Sequence, residues 1–192
     1  MLITLSGLPG SGTTTAARLV CHDLDLDHVT AGMIFRNLAV ERNMTLEEFS
    51  KYAEEHPEVD WELDRRMANR AKDGEVVLEG RLTAWMMERE GIDALKVWLT
   101  APEEVRAERV AQREGLTKDQ ALEANRTREE SERKRYEDIY EIDLTDLSVY
   151  NLQIDTHKHD PDEVSDQIVE TADEVFDIPD DVLADGGDED EE

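Results

Sequence analysis

Cysteine is almost missing from this chain. Cys21 is the only one in 192 residues, so neither an intrachain disulfide nor a cysteine-built zinc site is available. Lysine is scarce as well: 6 lysines and 15 arginines face 49 acidic residues, for a formal charge of −28. A surface so short of positive charge repels phosphate backbones and anionic headgroups, which argues against coating nucleic acid or adsorbing to a membrane. No apolar run approaches the ~18 residues that suggest a membrane span, and the N-terminus shows no basic-then-apolar leader pattern. These absences lead to the expectation of a soluble, cytoplasmic, monomeric protein built on one compact domain.

The charged fraction of 36 % could by itself suit a disordered chain. Against that, apolar runs such as Leu2-Ile3-Thr4-Leu5 and Glu75-Val76-Val77-Leu78 recur between amphipathic stretches, the pattern of a folded α/β core. Acids are spread along the whole length, which points to a host with a salty cytoplasm, where screening removes most of the self-repulsion. An ordinary acidic protein with an acidic tail is the other reading.

Periodicity places strands at 2–6, 27–30, 75–79, 94–99 and 152–155, with helical patterns between them. Helices are expected at 13–21, 33–42, 45–54, 59–72, 102–112 and 117–140. A last one opens at Asp160-Pro161-Asp162-Glu163 and carries Val164, Ile168, Ala172 and Val175 as its apolar stripe. Alternation of this kind predicts an α/β fold with a mostly parallel sheet of about five strands, covered by helices on both faces. Beyond Phe176 the chain turns Asp-, Glu- and Gly-rich, so 177–192 is expected to be a disordered acidic tail.

The strongest chemical signal is Gly7-Leu8-Pro9-Gly10-Ser11-Gly12-Thr13-Thr14-Thr15, set between a buried strand and a helix. Glycines let the backbone curl until successive N–H groups point at one anion, and the helix N-terminus adds its partial positive charge there. This is the spacing and context of a phosphate-binding loop for a nucleotide such as ATP, and Thr14 stands where a hydroxyl reaches the nucleotide's Mg2+. The motif asks for lysine directly after Gly12, where this chain has Thr13. Loss of one preorganised donor at a transferring phosphate costs roughly 2.7–4 kcal/mol of barrier. Either arginines or a monovalent cation compensate, or the protein binds nucleotide without efficient transfer; the intact remainder of the loop favours compensation.

Arginines mark a second phosphate site. Arg36 follows the second strand and Arg81 ends the third, and ligands of parallel sheets gather at the carboxyl ends of strands. The guanidinium fork grips phosphate oxygens bidentately. A third basic segment, Arg126 to Tyr136, is anomalous in so acidic a chain; it reads as a lid, with Arg128 and Arg135 seven apart on one helical face, or as a surface helix laced with i,i+4 pairs. Glu79, beside the loop, is a candidate to hold a metal-bound water, or else a buried structural carboxylate.

These segments together resemble the archaeal-type cytidylate kinases, a branch of the nucleoside monophosphate kinases within the P-loop fold. The likeness is carried by Leu5 to Gly12, Ile34-Phe35-Arg36, Val77 to Arg81, Arg128 to Tyr136, and Ile142 to Tyr150. It implies a three-layer P-loop kinase domain over 1–176 with helical monophosphate-binding and lid segments, the lid at about 115–140. It also implies transfer of a phosphoryl group from ATP to CMP or dCMP with Mg2+. The family's roles then fall on Gly7, Leu8, Pro9, Gly10, Ser11, Gly12, Thr13, Thr14 and Thr15 for ATP, on Thr14 for the metal, and on Arg36 and Arg81 for the monophosphate. Arg81, Arg128 and Arg135 would serve the transfer itself. A kinase for AMP, UMP or a metabolite, or a nucleotide-sensing module, are the alternatives. Elsewhere, His157 and His159 read as surface loop residues bordering the nucleotide, Cys21 as an apolar helix residue, and Trp61, Trp85 and Trp98 as core or cleft-wall packing.

Overall fold

The protein is described from a computed structural model, covering residues 1–179 and 182–183. Five strands, β1 (Leu2–Gly7), β2 (Asp27–Thr30), β3 (Val76–Glu79), β4 (Leu95–Thr100) and β5 (Leu152–Asp155), form one sheet in the order β2-β3-β1-β4-β5. Every pairing is parallel, as in Leu2 opposite Val76 and Ile3 opposite Leu95. The helices are α1 (Thr13–Asp23), α2 (Ala31–Glu41), α3 (Leu46–Glu55), α4 (Glu58–Lys72), α5 (Thr83–Glu90), α6 (Glu103–Glu114), α7 (Lys118–Tyr140) and α8 (Pro161–Phe176). The expected α/β architecture and strand count are therefore found.

Side chains alternate across the central strands, because successive residues of a strand point to opposite faces. Ile3, Leu5 and Val77 join Ala17, Val20, Val164 and Ile168 in a core under α1 and α8. Leu2, Val76 and Leu78 join Leu38, Phe49, Met67 and Met87 in a second core under α2 to α5. Burying each such aliphatic side chain contributes ~1.5–3 kcal/mol, so both faces are held firmly and the strand ends between them are fixed in place. Thr45, Thr117 and Asp160 each close a capping box with the residue three positions on, which stabilises the starts of α3, α7 and α8 by about 1 kcal/mol apiece.

Four expectations need correction. The helix α5 lies in a stretch to which the sequence reading assigns nothing; eight residues give just over two turns, too few for a clear period. Trp61 is 59 % exposed, because the inward face of α4 is set by Asp60, Asp64 and Met67 and Trp61 stands beside it. Val175 leaves the α8 stripe and is exposed. The chain instead turns at Asp177, in the left-handed conformation, and Ile178 closes the core with Val182 packed alongside. Packing thus continues beyond Phe176, and residues 180, 181 and 184–192 of the expected acidic tail lie outside the described residues. No described helix is long and apolar enough to cross a membrane.

Candidate active site at the carboxyl ends of the strands

The glycine-rich loop connects β1 to α1, and its glycines are required by space as well as by conformation. A Cβ at Gly7 would lie 2.3 Å from Ser11 Oγ and 2.5 Å from the Leu99 carbonyl. Gly10 has φ +84° and would place a Cβ 2.4 Å from the Arg106 carbonyl. The loop is braced from outside. Arg106 Nη1 donates to Pro9 O at 3.2 Å, Arg109 Nη1 to Gly10 O at 3.3 Å, and Thr156 Oγ1 to Ser11 O at 2.9 Å. In a trans peptide the N–H points opposite to the carbonyl, so turning these oxygens outward turns the N–H groups of Gly10 and Gly12 inward. Gly12 caps α1 without a side-chain hydrogen bond, which leaves the first donors of that helix free for an anion. The loop and α1 line a cleft of about 480 Å³, with Arg109, Arg113 and His159 on its far wall. Leu8 departs from this pattern, packing sideways with Trp98 and Tyr150.

Thr13 and Thr14 both donate to Glu79 Oε1, each at 2.7 Å, and His28 Nε2 stands 3.0 Å from Glu79 Oε2. Burial alone would raise the Glu79 carboxyl, but the hydrogen bonds from His28, Thr14 and Thr13 outweigh it and hold the group below the usual range. Where the motif has a lysine, this loop therefore offers two hydroxyls and an ionised carboxylate at the first turn of α1. Hard oxygen donors next to a phosphate cradle fit Mg2+ bound with a nucleotide.

Arg81 follows directly on the strand-end turn. Its Nη1 donates to Gly7 O at 2.5 Å and its Nε to Glu132 Oε2 at 3.0 Å. Arg128 Nε donates to the other Glu132 oxygen at 2.8 Å, so a single α7 carboxylate joins the two arginines. Glu132 is held below the usual range, since Arg81 and Arg128 outweigh the cost of burying it. Arg81 also lines a second, smaller cavity of about 70 Å³ walled by α2, α4, α5 and α7. Arg135 belongs to that wall, with Nε 3.7 Å from Asp60 Oδ2 and its guanidinium over the Tyr136 ring at 5.3 Å.

The predicted residues are thus brought together unevenly. Arg81 lines the smaller cavity and is bonded to the phosphate loop at Gly7 O; Arg135 walls the same cavity; Arg128 is exposed and reaches the site through Glu132. Arg36 is exposed, makes no hydrogen bond or ion pair among the described residues, and does not line the small cavity, although Phe35 does. Trp98 is buried, Cys21 is half-buried, and burial pushes its thiol up to about 11, as befits an apolar helix position. Sequence reasoning missed Arg106, Arg109, Thr156, Glu132, His28, Asp60 and Asp64. All lie in ordinary amphipathic or strand-end contexts, and no local signal marks them.

A phosphate loop at the centre of a five-stranded parallel sheet, with a helical cavity across from it, defines a P-loop kinase fold. The shikimate kinase of Bacteroides thetaiotaomicron shares it, with a TM-score of 0.57 at 13 % identity, covering 93 % of this chain and 99 % of that one. Residues 2–158 match the model of the cytidylate kinase-like family, and the chain belongs to that family. The cytidylate kinase of Methanocaldococcus jannaschii is 56 % identical over 161 residues, covering 83 % of this chain and 90 % of its own. That of Pyrococcus furiosus is 54 % identical over 164 residues, covering 85 % and 84 %.

Proposed function

We propose that this protein phosphorylates CMP and dCMP, taking the phosphoryl group from ATP. One observation carries the reading: Arg81 lines the small cavity and at the same time donates to the carbonyl of Gly7, the first residue of the phosphate loop. A guanidinium in that place faces both a nucleotide held by the loop and a monophosphate held opposite. The acceptor oxygen of a monophosphate is already anionic, so no general base is needed; alignment and charge cancellation make up the catalysis. ATP supplies the phosphoryl group, and Mg2+ neutralises its charge.

The chain's own residues supply the rest. The loop from Gly7 to Thr15 binds phosphates through backbone amides, and Thr14 with Glu79 would hold the metal and its water. Arg81 and Arg128 gather the equatorial oxygens, Arg135 faces the acceptor nucleotide from the wall of the small cavity, and Arg36 stands at the rim for the acceptor. The stretch from about 115 to 140 is the lid, since α7 carries Glu132 and the two arginines together and can bring them over the phosphates while excluding water. Arg106 and Arg109, already fixed on the loop, take over the bracing and charge that Thr13 lacks. The surface charge of −28 supports a monomeric, salt-adapted enzyme of the cytoplasm with small-molecule rather than nucleic-acid partners.

The test is ADP release coupled to a dehydrogenase, with CMP, dCMP, UMP and AMP as acceptors, at low and at molar KCl with Mg2+. CMP and dCMP are expected to lead, with turnover higher in molar KCl. Preference for AMP, or ATP binding without transfer to any monophosphate, would overturn the assignment.

A further inference from the structure

The small cavity contains two carboxylates that phosphate chemistry does not use. Asp60 and Asp64 stand one turn apart on α4 and both face into it, together with Arg135, Tyr136 and Tyr140 of α7. Two acids beside a phosphate-gripping arginine would repel the acceptor's phosphate, so their presence needs a different partner. Their hydrogen bonding separates them. Asp64 Oδ2 accepts from the Tyr140 hydroxyl. Asp60 keeps 9 % of its side-chain surface, and its Oδ2 has no hydrogen-bond partner. Arg135 Nε, 3.7 Å away, is likewise buried without one. A buried acceptor and a buried donor left without hydrogen bonds are costly unless a ligand completes them.

We propose that Asp60 and Arg135 read the base of the acceptor nucleotide, Asp60 accepting from the exocyclic amine of an aminopyrimidine and Arg135 donating to its ring acceptors. This rests on the CMP-kinase reading above and adds what selects the base. Cytosine carries an amine donor next to the ring nitrogen, whereas uracil has a carbonyl acceptor in its place. Uracil would therefore set oxygen against the Asp60 oxygen and leave a buried carboxylate unpaired, and sites built to bond a substrate N–H discriminate strongly against a substrate lacking it. Burial raises the Asp60 carboxyl, and the Arg135 guanidinium offsets that only in part. A cavity of about 70 Å³, against about 480 Å³ for the cleft on the loop side, suits a single six-membered ring; Phe35 and Tyr136 provide its apolar walls.

The test compares kcat/KM for CMP and UMP, with KM for ATP as an internal control, in the wild-type protein and in Asp60→Asn. An amide offers uracil a donor, so the CMP-to-UMP ratio is expected to fall at least tenfold while KM for ATP stays within twofold. A ratio unchanged within twofold overturns the inference. A second arm leaves the protein unaltered: the ribonucleoside monophosphate of 2-pyrimidinone, which is cytosine without its amine, is expected to be used at least tenfold less well than CMP. Equal use overturns the inference even if the variant does not fold. A wild-type protein inactive on CMP would instead bring down the function itself, so the two failures are told apart.

Discussion

The two cavities are built by opposite means. On the loop side, what is offered to an anion is backbone amides from within one stretch of nine residues, those of Gly10 and Gly12 among them, and side chains serve mainly to brace that backbone from behind. The small cavity instead takes its charged groups, Asp60, Asp64, Arg81 and Arg135, from elements that are distant in sequence. Amide donors are common to every chain and are set by local φ and ψ, so the first site recognises phosphate and little else. Side chains differ in charge and shape, so the second offers a surface specific to what fits it. Arg81 and Glu132 join the halves, with the guanidinium on Gly7 O and on the α7 carboxylate together.

This contrast can be broken first at the loop. Gly10→Ala puts a Cβ 2.4 Å from the Arg106 carbonyl at a φ of +84°. Displacing the amides should lower kcat by on the order of 10²–10³ and weaken ATP binding, while CMP binding, measured calorimetrically, stays close to wild type. An equal loss for both ligands would mean that the cavities are not independent in construction. Arg81→Ala comes next, with about a 10²-fold loss in kcat/KM expected. Because Arg81 lines the smaller cavity and not the loop-side cleft, KM for the monophosphate should rise more than KM for ATP; the reverse would place it with the donor.

The smallest effect concerns stability. Burial, reinforced by repulsion from Asp60 and only partly offset by the Tyr140 hydrogen bond and the Arg135 and Arg89 charges, raises the Asp64 carboxyl from 3.8 to about 6. A carboxyl raised on folding favours the folded state while protonated, and that contribution is lost as pH rises through the window from 3.8 to about 6. Asp64→Asn removes the loss. Urea unfolding should find the variant more stable by about 3 kcal/mol at pH 7 and level with wild type below pH 4. A gap independent of pH would show that the carboxyl is not held in this way.

The same contrast explains what was legible beforehand. The phosphate loop reads directly from Gly7 to Thr15, because its geometry is made by neighbours in sequence. Arg81 is legible too, since it directly follows a recognisable strand and turn. The braces of the loop are not: Thr156 and Ser11 are 145 positions apart, and Arg106 meets Pro9 across 97. Asp60 sits in a helix whose first turn is acidic anyway, where a carboxylate is expected on dipole grounds alone. Arg36 shows the converse. Its place at a strand end is plain in the sequence, yet the rotation of α2 turns Phe35 into the small cavity and leaves Arg36 at the surface.

By itself, then, the sequence determined the alternation of strands and helices, the parallel α/β class and the amide cradle, since each depends on periodicity or on residues in direct succession. Tertiary structure alone decided which carboxylates face the small cavity, which arginines brace the loop and that Glu132 joins Arg81 to Arg128. The physical reason is that a side chain's surroundings depend on how helices rotate and pack across the sheet, and that rotation is settled by the whole core at once.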